Sequence, residues 1–91
     1  MTALLLQERS FVRICVDDEL LDVLAMSPLG QAQTIMTING ENFVDAFMLL
    51  TEDLLHWIQC MGSAVEVIHP PGLRELVRQG LTQTLHKYRV V

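Results

Sequence analysis

Cysteine is scarce in this 91-residue chain, with Cys15 and Cys60 far apart and no CxxC pair. That spacing argues against a disulfide or a metal pair, and both are expected to be reduced core thiols, one on a strand and one on a helix, in a cytoplasmic protein. Long hydrophobic runs are missing too. None approaches the roughly 18 apolar residues needed to span a bilayer, and Leu4-Leu5-Leu6 follows no basic segment and is too short for a signal peptide. No contact with a membrane is expected. Positive charge is short, with six Lys and Arg against eleven Asp and Glu, a net charge of −5 and a pI of about 4.9. Without a dense basic patch to release counterions, direct nucleic-acid binding is not expected. Repeats, linkers and low-complexity segments are lacking as well. Apolar residues, by contrast, make up 51% of the chain, and the mean hydropathy of +0.34 is high for a small soluble protein. A chain of this length builds one modest core. The surplus of apolar side chains points to an interface.

Residues 1–8 show no clear period and are read as a lead-in segment, and residues 9–91 as a single domain. Residues 9–16 alternate, with Val12, Ile14 and Val16 on one side and Phe11, Arg13 and Cys15 on the other, which predicts a first strand. Asp17 and Asp18 are placed to cap a helix carrying Leu20, Leu21, Val23 and Leu24, which ends before Pro28. Residues 31–38 form a second strand. Asn39-Gly40 is a strong hairpin signal, because both residues tolerate the positive φ of a type I′ turn. Residues 41–50 form the third strand.

The stretch from Thr51 to Arg74 then carries punctuation with individual jobs. Thr51 is a helix N-cap, Glu52 and Asp53 face the positive end of the helix dipole, and Gly62 supplies a residue for positive φ at the helix end. Residues 63–68 are expected to form a strand with Val65 and Val67 on one face. Pro70 and Pro71 stop it and open a last helix, where Leu73, Leu76, Val77, Leu81, Leu85 and Tyr88 mark an apolar stripe. The pattern resembles the C-terminal extension, often called WCX, of bacterial WYL-domain transcriptional regulators. The resemblance rests on Trp57, Gly62, Val65-Glu66-Val67-Ile68-His69-Pro70, Leu73-Arg74 and Tyr88. It implies a non-catalytic module that helps a regulator dimerise, next to N-terminal WYL and winged-helix DNA-binding domains where the chain is part of a longer protein. Those domains do not occur in these 91 residues, so their binding of DNA or effector does not carry over.

The element order β-α-β-β-α-β plus a final helix predicts a ferredoxin-like α/β (α+β) sandwich. Right-handed crossovers put both inner helices on one face of a four-stranded antiparallel sheet, with strands one and three central. In strand three, turning Asp45 inward would cost several kcal/mol without a partner. Val44, Ala46 and Met48 are therefore assigned to a core with Val12, Ile14, Val65 and Leu76. The hairpin turn then pairs Met36 with Phe43, and the open face displays Phe11, Met36, Ile38, Phe43 and Phe47, a candidate dimer interface. Three outcomes stay open for it: exposure, cover by the last helix, or an overturned assignment through a β-bulge in either strand. Arg74, Arg78 and Lys87, with Arg89, gather after Pro70. They either complement the helix dipole or form a strip that docks on the acidic residues 17–22 of a neighbour.

Other chemistries of this topology lack their residues. The loop after the first strand is Asp17-Asp18, with neither the CxxC of a copper chaperone nor an arginine-bearing phosphate loop. The third strand lacks the basic residues and glycines of an RNA-recognition motif, and Asp45 would repel phosphate. His56, His69 and His86 show no ligand spacing with another His, Cys or carboxylate. No enzyme activity, metal or cofactor is expected. The reading is a regulatory module forming a homodimer, the alternatives being a small-ligand-sensing βαββαβ domain and a free-standing small partner of a larger regulator.

Overall fold

The computed structural model describes residues 4–89. The elements are β1 (Leu4–Val16), α1 (Asp18–Met26), β2 (Gln31–Ile38), β3 (Glu41–Thr51), α2 (Glu52–Met61), a 3-10 turn over Gly62–Ala64, β4 (Val65–His69) and α3 (Pro71–Tyr88). All strand pairs are antiparallel and the order is β2-β3-β1-β4, so β1 and β3 are central as expected.

Local chemistry accounts for most boundaries. Asn39 and Gly40 take φ of 53° and 80°, and the turn sets Ile38 opposite Glu41 and Met36 opposite Phe43. The Thr51 hydroxyl accepts from the Leu54 amide at 3.2 Å to cap α2, and Gly62, at φ 59°, ends it. Pro71 opens α3, where its missing N–H leaves no bond unmade.

The inner face of the sheet presents Val12, Ile14, Val16, Val44, Val65 and Val67 to Leu24 of α1 and to Leu54 and Ile58 of α2. Each such burial stabilises by about 1.5–3 kcal/mol relative to exposure. Leu73, 2% exposed, brings α3 onto the same core. Asn42 is the buried polar residue among those described. Its Nδ2 donates to Asp18 Oδ1 at 2.7 Å and to the Val16 carbonyl at 3.2 Å, and its Oδ1 accepts from the Thr37 hydroxyl at 2.9 Å. One side chain thus joins the end of β1, the start of α1 and the β2–β3 hairpin.

Several details differ from the sequence-based expectations. Strand β1 begins at Leu4, so it takes in part of the expected lead-in; residues 1–3 lie outside the described residues. Its pairing with β3 slips between Leu4 and Arg9, where β1 has more residues than its partner. Asp17 is the N-cap residue of α1 but makes no side-chain cap bond, and the Asp18 carboxylate serves Asn42 instead. Ser63 and Ala64 close the 3-10 turn rather than open β4, because the chain must still reverse after Gly62. Leu76 is 41% exposed and stands outside the core, where Leu73 takes the expected place. Cys15 is half-buried on the outer face and Cys60 is exposed, so neither is a core thiol.

Candidate interaction face of the sheet

The outer face is set by parity. With Val12 and Ile14 inward, Phe11, Arg13 and Cys15 must point outward, and the β1–β3 register sets them opposite Phe47, Asp45 and Phe43. Three cross-strand pairs therefore occupy the middle of the sheet, and Met36 extends the row from Phe43 onto β2. A kink at Ala32, φ 52°, shifts the β2–β3 register between Gln31 and Thr34, upstream of Met36, and leaves that row in phase.

The five residues expected on this face do share it. Phe11, Met36, Ile38 and Phe47 are 40%, 37%, 49% and 47% exposed, and Phe43 is half-buried between its neighbours. α3 does not lie over them. It runs beside β4 and α2, with Leu73 in the core and Gly80 close to Gln59 of α2, 3.3 Å from where a Cβ would stand. Among the described residues the face stays open.

At its centre is an ion pair that the sequence reading missed. Arg13 Nε donates to Asp45 Oδ1 and Arg13 Nη2 to Asp45 Oδ2, both at 2.8 Å, a parallel bidentate fork. The hydrogen bonds from Asp45, and then its charge, raise the Arg13 guanidinium above its ordinary value. That guanidinium also lies 5.6 Å from the Phe11 ring centroid and 5.9 Å from that of Phe43. The His69 ring is tilted against Phe11 at 5.6 Å. Asp45 is thus outward, as expected, but its charge is answered within the subunit. The signal was Arg13 and Asp45 standing at matching positions of two strands, yet no turn links β1 directly to β3 to reveal the register.

The Cys15 thiol, between Phe43 and Glu66, is pushed up, first by desolvation and then by the charges of Glu41 and Glu66. It is therefore a poor nucleophile at neutral pH.

Two of the three basic residues expected to form a docking strip, Arg74 and Arg78, have partners within the subunit. Arg74 Nη1 donates to Glu66 Oε2 at 2.8 Å and to the Val67 carbonyl at 2.7 Å, covering part of the β4 edge. Arg78 forks onto Glu75 within α3, and that hydrogen bonding raises Arg78 and lowers Glu75 from their ordinary values. Lys87 forms no ion pair among the described residues. On α2, His56 Nε2 lies 3.4 Å from Cys60 Sγ, so one histidine does have a cysteine at helical i, i+4 spacing, contrary to the expectation. Among the described residues no group of three or more His, Cys, Asp or Glu side chains gathers as a metal site would require. None of the described helices is long and apolar enough to cross a membrane. Compared with models of known protein families and with curated proteins, the chain matches none of them.

Proposed function

We propose that the chain is a non-catalytic regulatory and dimerisation module of ferredoxin-like βαββαβ topology with an added C-terminal helix. It would act as the C-terminal extension of a WYL-type bacterial transcriptional regulator does. In that role it holds two regulator chains together in the cytoplasm while separate WYL and winged-helix domains read effector and DNA. The strand order β2-β3-β1-β4 supports the topology. The residues from Trp57 to Tyr88 support the comparison with that family.

One observation carries the assembly reading. The open face is an apolar and aromatic surface whose central charges, Arg13 and Asp45, neutralise each other. An apposed copy therefore need not supply a counter-charge, and the fork enters the interface already paired. An unpaired charge there would oppose association by several kcal/mol. A twofold axis through this face sets like surfaces against each other, the usual geometry of a homodimer.

The test is solution mass by light scattering at micromolar concentration. At least twice the mass of one chain is expected. A monomer would remove the reading.

A further inference from the structure

The distal half of α3 is built as though it has a partner that its own subunit does not supply. A single apolar stripe runs through Leu73, Val77, Leu81, Leu85 and Tyr88. It starts buried in the core, and its last three residues are 57%, 62% and 78% exposed. Residues 80–88 also contain Gly80, Thr82 and Thr84, which are weak helix formers. An isolated helix of that length is marginal in water, and tertiary packing of an apolar face is what ordinarily holds one. Leu81 lines a shallow pocket with Val65, Val67 and Val77, and beyond it, among the described residues, Leu85 and Tyr88 stay largely exposed.

A complementary seat exists on the other flank of α2. Gln59 faces α3, whereas Trp57 and Met61 face α1. Together with Leu20, Val23, Leu24 and Leu29 they line an open, mainly apolar groove of about 500 Å³. Val23, on α1, is 57% exposed. The tail of the same subunit, lying beyond Gln59, would have to cross α2 to reach it.

Charge decides which molecule fills the groove. Ten of the eleven acidic residues precede Pro70, while four of the six basic residues follow it. Helix α1, on one side of the groove, has Glu19 and Asp22 exposed and no basic residue, while the Asp18 carboxylate is held by Asn42 on the hairpin side. The tail has Lys87 and Arg89, neither in an ion pair among the described residues. Pairing two tails with each other would set basic ends against a helix whose one acidic residue, Glu75, is already held by Arg78.

We propose that residues 80–88 of α3 seat in the α1–α2 groove of a second copy of this chain, with Lys87 and Arg89 against the acidic side of α1. This contact is separate from the open sheet face and joins sheet-face dimers into a larger assembly. Leu81, Leu85 and Tyr88 supply the apolar fill. The charges set the partner and make the contact salt-sensitive, since exposed pairs are screened beyond about 8 Å at physiological ionic strength.

Light scattering on four chains tests this at low salt: wild type, Leu81→Glu/Leu85→Glu, Phe47→Glu, and the three changes combined. Leu81, Leu85 and Phe47 are all exposed, so each chain is expected to stay folded, with any loss of helical circular dichroism confined to the few residues of the released tail. Four subunits are expected for wild type, two for either partial variant and one for the combination. Raising the salt should lower the wild-type mass toward that of Leu81→Glu/Leu85→Glu. Val23→Glu, which alters the groove and leaves the tail intact, should reproduce the tail variant's mass. A mass unchanged by Leu81→Glu/Leu85→Glu overturns the proposal. A drop with that variant but none with Val23→Glu overturns the groove as the seat. If Phe47→Glu alone leaves the wild-type mass intact while the tail variant gives monomers, the sheet-face reading fails and the tail contact stands.

Discussion

Replacing Asn42 by aspartate changes little volume but converts the most connected buried polar group into an anion. Asn42 is 5% exposed, and its Nδ2 is the donor both to the Asp18 carboxylate and to the Val16 carbonyl. A carboxylate there loses both donations and faces two acceptors, one of them negatively charged. Losing a hydrogen bond to a charged group costs about 1.5–3 kcal/mol. The desolvated like-charge contact adds to this, so Asn42→Asp should cost about 3–5 kcal/mol at pH 7. The sign of the pH dependence follows. Burial and the Asp18 charge raise the folded-state value of the new carboxyl above its unfolded value of about 3.9. The part of its cost that comes from ionisation is complete where it would be ionised in the folded state, shrinks as pH falls through the raised value, and vanishes below about 3.9, leaving only the cost of the second lost donation. Protonated, it regains one donor for Asp18 or Val16. Asn42→Ala should cost about 2–3 kcal/mol with no such pH dependence. Urea denaturation of the three chains at pH 7 and pH 4.5, at matched protein concentration, measures both effects. A deficit for Asn42→Asp that is under about 1 kcal/mol at pH 7, or equal at the two pH values, would refute this account of the hairpin junction.

Two further outcomes follow from the same structure. Leu73→Ala should cost about 2–5 kcal/mol in denaturation, whereas Leu76→Ala, one turn further along the surface, should cost about 1 kcal/mol or less; the reverse order would mean that α3 docks through its other side. Alkylation followed by mass spectrometry should find Cys15 slower in the native than in the urea-unfolded chain at pH 7.5, faster after Glu66→Gln, and closer to the unfolded rate as pH rises past the ordinary thiol range; equal native and unfolded rates at pH 7.5 would contradict the environment described.

Much of this architecture is legible in the sequence because single residues carry it. Asn39-Gly40 sets a hairpin register without help from the rest of the chain, Thr51 and Gly62 bracket α2, and the paired prolines open α3. The outward face follows by parity from that turn and from Asp45. What escaped the reading depends on registers that no local signal specifies. The Arg13–Asp45 fork needs the offset of two strands separated by a helix and a third strand. Cys15 faces outward because Ile14 is inward, a consequence of the alternation already seen in the first strand but not applied to the thiol. The apolar stripe of α3 was visible, yet its length alone could not say that the body of the subunit covers only its first turns. Leu76 looked like core because helical spacing places it near Leu73, whereas the path of α3 along the β4 edge turns it to solvent.

The central claim, that subunits meet through the outer face of the sheet, is tested most directly by comparing Phe47→Glu with Val44→Glu. Both changes are made in the Leu81→Glu/Leu85→Glu background, so that the tail makes no contribution. Phe47 stands opposite Phe11 on the central strand pair at 47% exposure, and Val44 lies on the opposite side of the same strand at 0%. A carboxylate at the first position has no partner in a closed interface. A penalty of about 3 kcal/mol there already weakens a dimer roughly a hundredfold. Light scattering with circular dichroism should show Phe47→Glu as a folded monomer and Val44→Glu as an unfolded chain. A Phe47→Glu chain that keeps the dimer mass, or one that unfolds while Val44→Glu stays folded, would contradict the account.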